Sequence, residues 1–354
     1  PGSVFAVQHP SLDHSPLGQV DDTGRIFFPL TAGSNIVGER ITLDVRARER
    51  IERVVMAPSD EGFAMLADNR PVLFYQREPV TAHNHTRAGY VHPLVGLDGE
   101  VFTEVFPSDH RHHQGVFWAW HQLWVGDRKI GDPWVAKDHL VVVKKAAIVE
   151  QGPVFATLEV QAEWTSNALD DSGKSRSIVA EQTRIRVFRA VGDVQYVDFT
   201  IQLTPLVTDV KIGGSEDVKG YSGFTLRVKP PSDMVIHDAN GILENDAIQT
   251  TSAWADVSGS FAPGKTSGVA ILTHPASPEF PSRWVLRHYG MQNVAYPGRE
   301  PVLLLPDKPL VIRHRLVLHR GNTQQARIAD HQRIFECVPK VESFRRLFDA
   351  CGIE

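Results

Sequence analysis

Hydrophobic and polar side chains alternate along much of the chain, which is the period of a β-strand. In VFATLEVQAEW (154–164) an apolar side chain occupies every second position from Ala156 to Trp164, with polar residues between them. VQYVDFTIQL (194–203) has the same period, and the VGDV turn separates it from TRIRVFRA (183–190), a pattern typical of a hairpin. These segments therefore predict antiparallel strands with one buried face.

Further strands are predicted at 40–47, 51–57, 71–76, 139–149, 222–229, 267–273, 283–288 and 309–319. Many short strands with turn residues between them indicate an all-β fold, a large β-sandwich. Helix is predicted only near the C-terminus, where Thr323 could cap QQARIADHQRIFE and VESFRRLFDA follows. Because no linker divides the chain, we expect one sandwich domain over 4–354, with 323–354 as a helical extension; two closely packed β domains are the alternative.

Composition narrows the classes of partner. The formal charge of −5 and the scattered Lys and Arg residues do not favour nucleic-acid binding. Apolar runs such as LVVV (140–143) are much shorter than the ~20 residues needed to span a bilayer, so no membrane association is expected. The two cysteines, Cys337 and Cys351, are expected to be unpaired thiols in a cytoplasmic protein, which could form homo-oligomers. Pro1-Gly2-Ser3 is typical of a cloning remnant.

The stretch SDHRHHQGVFWAWHQ (108–122) contains four of the chain's sixteen histidines and suggests a working site. In an extended backbone His110 and His112 would point to one side and His113 to the other. The cofactor remains open. A divalent metal could be bound by these three histidines with help from elsewhere, the candidates being His83, His85, His92, His121, Glu104 and His274.

Acid–base catalysis without a metal is the other interpretation. His110, His112 or His121 could remove a proton, because imidazole titrates near neutral pH. Glu104, Asp109 or another histidine could return it. Both interpretations require a cleft.

Other residues are candidates for substrate binding. Trp118 and Trp120 share one face of a predicted strand and could stack on sugar rings, or equally could belong to a packed core. Gly115 would allow close approach of the backbone beside them. The remaining candidates share a position at a strand end or on a glycine-flanked strand: Tyr221, Arg227, Asp256 and His274. His314 lies among alternating leucine and isoleucine residues and is interpreted as a core histidine.

No P-loop, dinucleotide-binding G-x-G-x-x-G, HExxH or G-x-S-x-G motif is present, which disfavours phosphoryl and hydride transfer. No close pair of carboxylates stands out beside the aromatic residues, which disfavours a glycosidase mechanism.

Five spaced segments resemble a bacterial family known as PmoA-like or "methane oxygenase PmoA": residues 88–122, KGYSGFTLR (219–227), WADVSG (254–259), GVAILTHPASPEFPSRW (268–284) and IRHRLVLHRG (312–321). The resemblance covers about residues 70–321. It implies membership of the galactose-mutarotase-like supersandwich group, whose members bind carbohydrates on a large sheet and often use His, Glu or Asp as acid and base. The family's motif residues fall on Glu104, Asp109, His110, His112, His113, Gly115, Tyr221, Arg227, Asp256 and His274. Ser222 stands where the family often has Gly, and His314 where Tyr is frequent.

The sequence therefore predicts a carbohydrate-processing enzyme, an isomerase or lyase, that acts on a sugar or an oxidised keto sugar. Epimerisation, elimination and hydration all proceed by proton transfer near a carbonyl or hemiacetal, which suits histidines. Two alternatives remain. One is a non-catalytic sugar-binding protein. The other, implied by the family label, is a metal-dependent oxygenase with histidine ligands.

Overall fold

The computed structural model describes residues 4–8, 16–22, 24–28, 42–45, 53–169 and 173–336. The second predicted helix (341–350), both cysteines and residues 1–3 lie outside these ranges. The described residues form strands with one short helix, α1 (Ile328–Glu336), so the predicted all-β sandwich is confirmed, and α1 is the first of the two predicted C-terminal helices. They contain no helix with the length and apolar character needed to cross a bilayer.

In chain order, the strands in the first part of the described chain are β1 (Val4–Gln8), β2 (Leu17–Val20), β3 (Ile26–Phe27), β4 (Thr42–Val45), β5 (Val54–Pro58), β6 (Gly62–Ala67), β7 (Arg70–Gln76), β8 (Val80–Ala82), β9 (His85–Arg87), β10 (Tyr90–Leu94), β11 (Val116–Trp120), β12 (Gln122–Val125), β13 (Arg128–Gly131) and β14 (Leu140–Glu150). The strands that follow are β15 (Phe155–Ser166), β16 (Arg176–Phe188), β17 (Val194–Pro205), β18 (Val210–Gly213), β19 (Ser222–Arg227), β20 (Val235–Asp238), β21 (Gly241–Leu243), β22 (Ala247–Ser252), β23 (Trp254–Ala262), β24 (Lys265–Thr273), β25 (Ser282–Arg287), β26 (Met291–Val294), β27 (Val302–Leu303) and β28 (Leu310–Arg320).

Among the described residues, two nine-stranded antiparallel sheets make up most of the fold. The first large sheet has the order β22-β25-β26-β19-β11-β10-β7-β6-β5, and the second has the order β14-β15-β16-β17-β28-β24-β23-β20-β21. The predicted hairpin is confirmed, because β16 pairs with β17 and Ile185 lies opposite Phe199. Smaller sheets, β13-β12-β18-β27, β3-β2-β1-β4 and β8-β9, flank them.

The main core lies between the two large sheets. Trp120 of the first packs on Trp164 of the second with ring centroids 5.3 Å apart, and Phe224 packs on Phe199 at 5.2 Å. These residues come from alternating positions of long strands, so each strand contributes one face to this core. The other face of each sheet is left for a second layer of residues.

The outer faces carry different layers. On the first large sheet, the outward side chains of β11, including Phe117 and Ala119, pack with Tyr90 and Met291 in a separate cluster. On the second large sheet, α1 packs through Ile328 and Phe335 against outward residues of β23, β24 and β28.

The helix begins later than the sequence predicted. Thr323 was expected to cap a helix over 324–336, but α1 begins at Ile328. Arg327 has a φ of 53°, a left-handed conformation that interrupts the preceding turn. The hydroxyl of Thr323 instead donates to Asp256, at 2.6 Å, and is hydrogen bonded to His237. The side chain of Thr323 therefore makes a tertiary contact instead of capping the helix.

Candidate functional site

The histidine-rich segment forms a loop that leads into β11 and covers the outer cluster of the first large sheet. Gly115 stands at the junction, with φ of 42°, and a Cβ at this position would lie 2.1 Å from the carbonyl oxygen of Val91. Its amide donates to the carbonyl of Glu104, and its own carbonyl accepts from the amide of Arg227. The close backbone approach predicted for Gly115 is confirmed.

Arg227 connects this loop to the sheet. The side chain is 3% exposed, and its Nε donates to Oε1 of Glu104 at 2.9 Å. Its Nη2 donates to both oxygens of Asp109, at 2.8 and 2.9 Å. The sequence predicted Glu104 and Asp109 as proton-transferring groups, but the structure places both against one buried guanidinium. Both carboxylates therefore form ion pairs with Arg227.

Asp109 also binds the first of the clustered histidines. Its Oδ2 lies 2.9 Å from Nδ1 of His110. Burial of Asp109 raises the pKa of its carboxyl group, but hydrogen bonds from His110 and Arg227 outweigh burial and the pKa is lowered. The imidazole of His110 stacks on the ring of Tyr289 at 4.4 Å and on His113 at 4.8 Å. The ring of His110 is thus oriented by one carboxylate and two stacked partners.

His112 and His113 occupy the middle of the cluster as neutral imidazoles. Burial, followed by the nearby charges of Arg87, His110, His85 and His121, lowers the pKa of His112 to about 3. His113 is 1% exposed, and burial holds its pKa far below the ordinary value. The two rings meet edge to face at 4.6 Å. Neither imidazole is a proton donor of the imidazolium type at neutral pH.

A second Asp–His pair lies on the other side of the cluster. Nδ1 of His121 lies 2.9 Å from Oδ2 of Asp132. The His121 ring stacks on Trp134 at 5.3 Å, and Trp134 also contacts His113 at 5.9 Å and stacks on Tyr221 at 5.6 Å. Trp134 therefore joins the two Asp–His pairs into one continuous group of rings.

Two arginines fix the residues that border the group of stacked rings. Arg87 is 8% exposed and donates to the carbonyl oxygens of Pro133 and Trp134, and its burial lowers its pKa to about 10. Arg287 donates from Nε and Nη2 to the hydroxyl of Tyr221, at 3.1 and 2.8 Å. The loop that carries Trp134 and the hydroxyl of Tyr221 are thus both fixed by cations.

Several of these residues were not found from the sequence: Arg87, Asp132, Trp134, Arg287 and Tyr289. Asp132, Pro133 and Trp134 follow β13, and a turn with an acidic and an aromatic residue at a strand end was the available signal. Tyr289 lies in the turn between β25 and β26, and nothing in its local sequence indicates contact with a loop almost 180 positions earlier.

The three histidines suggested as metal ligands lie together but do not form a metal-binding group. In the part of the chain that the structure describes, no three or more His, Cys, Asp or Glu side chains are arranged to hold a metal ion. His110 and His113 stack with an interplanar angle of 11°, and parallel stacked rings direct their in-plane nitrogen lone pairs side by side rather than toward one point. A divalent metal is therefore not included in the site.

Trp118 and Trp120, suggested as sugar-stacking residues, belong to the core. Trp118 is stacked with Phe224 at an interplanar angle of 2°, and Trp120 is fully buried with its Nε1 donating to the carbonyl of Tyr296. The sequence correctly predicted that Trp118 and Trp120 share one face of a strand. This face of β11, however, points toward the second large sheet. The opposite face, which continues to His121, supports the site.

Asp256 and His274 are also separate from the histidine cluster. Asp256 is fully buried in the second large sheet, where it accepts from Thr323 and pairs with Nε2 of His319 at 3.0 Å. His274 lies at the end of β24 against Phe335 and lines a different cavity. His314 is 2% exposed and packs on Phe224, so its assignment to the core is confirmed.

The arrangement provides two oriented imidazoles with one nitrogen each available. Among the described residues, hydrogen bonds to the rings of His110 and His121 involve only Nδ1. His288 is different, since its Nδ1 is paired with Asp246 and its Nε2 with the carbonyl of Leu243. The side chains of His110 and His121 are 33% and 20% exposed, so their Nε2 atoms can meet a ligand from solvent.

The fold and site define a large all-β sandwich with a polar, histidine-rich site on the outer face of one sheet. Residues 63–333 match the family described as "Family of unknown function (DUF6807)", and the chain belongs to this family. No curated protein matches the chain.

Among solved structures, the chain is similar to the crystal structure of a heparan sulfate lyase HepC mutant from Pedobacter heparinus. The TM-score is 0.37 and the sequence identity is 9%, and the match covers 78% of this chain and 36% of that chain. The chain therefore spans about a third of the length of that protein.

Proposed function

We propose that the protein is a carbohydrate-processing enzyme in which His110 and His121 transfer protons to and from one substrate. The observation that supports this most directly is the presence of two Asp–His pairs, His110–Asp109 and His121–Asp132, on either side of His112, His113 and Trp134. A histidine whose Nδ1 is held by a carboxylate keeps its Nε2 in a fixed direction. Such a nitrogen is in position to accept a proton from a substrate or to donate one to it.

The two pairs suit reactions in which one proton is removed and another is added. Epimerisation beside a carbonyl needs a base on one face of the carbon and an acid on the other, and elimination needs a base at carbon and an acid at the leaving oxygen. In either case one histidine takes the carbon-bound proton through Nε2 while the other donates. The reaction class proposed is therefore that of an isomerase or lyase acting on a sugar or an oxidised keto sugar.

The residues between the pairs suit an uncharged, hydroxyl-bearing substrate. The neutral His112 can exchange hydrogen bonds with hydroxyl groups, because its pKa of about 3 leaves it uncharged. Tyr289 and Tyr221 are half-buried aromatic residues beside the two pairs, and aromatic side chains commonly contact the C–H groups of sugar rings. The resemblance to the PmoA-like family and to the galactose-mutarotase-like group adds to this proposal.

A glycosidase mechanism fits less well. It requires one carboxylic acid that donates a proton and one carboxylate that attacks or activates water. Glu104 and Asp109 are both bound to Arg227, and the pKa of Asp109 is lowered by its partners. Asp109 is therefore assigned to positioning His110 rather than to donating a proton.

The test follows carbon-bound protons directly. The purified protein is incubated in D₂O with monosaccharides, disaccharides and their keto derivatives, and ¹H NMR monitors exchange at carbon, new epimers and new double bonds. We expect turnover of at least one keto sugar, and its loss in His110→Ala and in His121→Ala by about 100-fold or more. His331→Ala, which removes a half-buried histidine in α1, is the control and should keep full activity.

Binding without exchange or product formation would contradict the proposal and favour a sugar-binding protein. Equal turnover in the wild type and in both histidine variants would instead place the reaction elsewhere in the molecule. Calorimetric titration of each variant separates loss of chemistry from loss of binding.

A further inference from the structure

A cavity of about 390 Å³ opens on the outer face of the second large sheet. It lies between Asp21 and Arg25, which follow β2, and Phe335 of α1. The histidine cluster lies on the outer face of the other sheet, so the two sites are separate. Pockets of about 300–1,000 Å³ are typical of small-molecule sites, and this cavity has the size of a monosaccharide derivative.

Polar side chains from four neighbouring strands line the cavity. Alternation along each strand places them on the outer face while their apolar neighbours enter the core. They are Glu159 and Gln161 of β15, Gln182, Arg184 and Arg186 of β16, Asp198, Thr200 and Gln202 of β17, and Arg313 of β28. The surface therefore combines guanidinium groups with amides and a hydroxyl, which are the groups that bind oxyanions and sugar hydroxyls.

The carboxylates in the cavity wall are already paired with arginines. Oδ2 of Asp21 lies 3.2 Å from Nη1 of Arg186, and Oε1 of Glu159 accepts from Nε of Arg184 at 3.0 Å. Asp198 accepts from Arg315 at 2.6 and 2.8 Å. Each negative charge in the wall is thus neutralised within the protein.

Arg313 differs from the other arginines of the wall. Within the described ranges its guanidinium has no hydrogen bond or ion pair, although the side chain is half-buried. Burial, followed by the charge of Arg25, lowers the pKa of Arg313. A partly desolvated cation that faces another cation is unfavourable unless an anion is present between or beside them.

We propose that this cavity binds a small polyhydroxylated molecule with one oxyanionic group, a carboxylate or a phosphate. The guanidinium of Arg313 binds the anionic group, since its planar fork fits both oxyanions. The amides of Gln161 and Gln202 and the hydroxyl of Thr200 bind the hydroxyl groups. This inference is independent of the function proposed for the histidine cluster.

The test measures binding to the full chain by isothermal titration calorimetry at constant ionic strength. The probes are D-glucuronate, D-glucose 6-phosphate and D-glucose, so that the carboxylate, phosphate and neutral cases are compared. We expect at least one oxyanion to bind about tenfold or more tightly than D-glucose, and Arg313→Gln to remove this difference. Arg299→Gln, which removes an exposed arginine paired with Glu300, should leave binding unchanged.

Two further measurements keep the outcome clear. Arg313→Gln removes a charge that repels Arg25, so its thermal midpoint without ligand should equal or exceed that of the wild type. His112→Ala should retain oxyanion binding, which separates this cavity from the histidine cluster. Absence of oxyanion binding, equal affinity for D-glucose, or unchanged affinity in a folded Arg313→Gln protein would each overturn the proposal.

Discussion

Arg227 and Asp109 are joined by two hydrogen bonds, from Nη2 of the guanidinium to both oxygens of the carboxylate, at 2.8 and 2.9 Å. Arg227 is nearly fully buried in the sheet, whereas Asp109 belongs to the loop above it and also binds His110. The sheet therefore fixes the position of the His110 ring through the carboxylate of Asp109. Substitutions of Asp109 and of Arg227 should therefore affect His110 and the loop that carries it.

Replacing Asp109 by Asn should lower turnover by about 100-fold with a smaller change in KM, because a neutral amide does not stabilise the imidazolium form of His110. Steady-state kinetics on the substrate identified by NMR provide the measurement. Asp233→Asn removes an exposed carboxylate bonded to Ser260 and serves as the control. Unchanged kcat in Asp109→Asn would show that His110 acts without this partner.

Replacing Arg227 by Met should reduce the free energy of unfolding by about 1.5–3 kcal/mol, the usual contribution of hydrogen bonds to charged groups. The loss arises because Glu104 and Asp109 would face each other without their shared cation. Urea denaturation measures it. Arg77→Met disrupts a surface ion pair with Glu78 and should change stability by less than about 1 kcal/mol. Equal effects of the two substitutions would contradict the central role of Arg227.

Acid should destabilise the protein partly through His314. Burial lowers the pKa of His314 from 6.5 to about 3 in the folded chain. Between these values the unfolded chain binds a proton that the folded chain does not, so stability is complete above pH 6.5 and declines as the pH falls toward 3.

His314→Leu removes this proton uptake. The free energy of unfolding of the variant should therefore depend less on pH within this window, by about 1.4 kcal/mol per pH unit for the one group. Denaturation curves at several pH values on both proteins measure the difference. Parallel pH profiles would mean that His314 does not contribute to acid sensitivity.

Trp120→Ala should destabilise the fold by about 3–5 kcal/mol, because it opens a cavity between the two large sheets. Trp124 also occupies an even-numbered position but is half-exposed, so Trp124→Ala should lower the free energy of unfolding clearly less. Thermal or chemical denaturation compares the two. A small loss in Trp120→Ala together with loss of sugar binding would restore this tryptophan as a substrate-binding residue.

Gly115→Ala should destabilise the protein and reduce turnover together. Its Cβ would lie 2.1 Å from the carbonyl oxygen of Val91, in addition to the cost of about 1–3 kcal/mol for a left-handed residue. Gly99 also has a positive φ, but a Cβ there meets nothing within 4 Å. Gly99→Ala therefore isolates the conformational cost, and similar losses in both variants would show that close packing at Gly115 has no role.

Much of the fold could be predicted because alternation is a local property. Residues 155–164 lie in β15 (Phe155–Ser166) with the predicted inward face, and the pairing of β16 with β17 follows from a turn a few residues long. The start of the helix could not be predicted, because Thr323 is bound by Asp256 from a strand about seventy positions away. A buried hydrogen bond of this kind outweighs the local preference of threonine for the N-cap position.

The candidate site was predicted only in part, because many of its contacts join residues that are distant in the sequence. His110, His112 and His113 are close in sequence and remain close in space. Their partners Tyr289 and Arg227 come from strands and turns that pair across the sheet, and Asp256 and His274 were grouped with them although they belong to the other sheet. For strands that are not joined by a short turn, sequence spacing does not show which strands become neighbours.

By itself the sequence determined that the chain forms strands, which residues of each strand share a face, and that histidines are concentrated at one point, because these follow from local periodicity and composition. Only the tertiary structure decided which face of β11 is covered, and so made Trp118 and Trp120 core residues and left the face that leads to His121 for the site. The physical reason is that burial depends on the packing of a second sheet, which no single segment specifies.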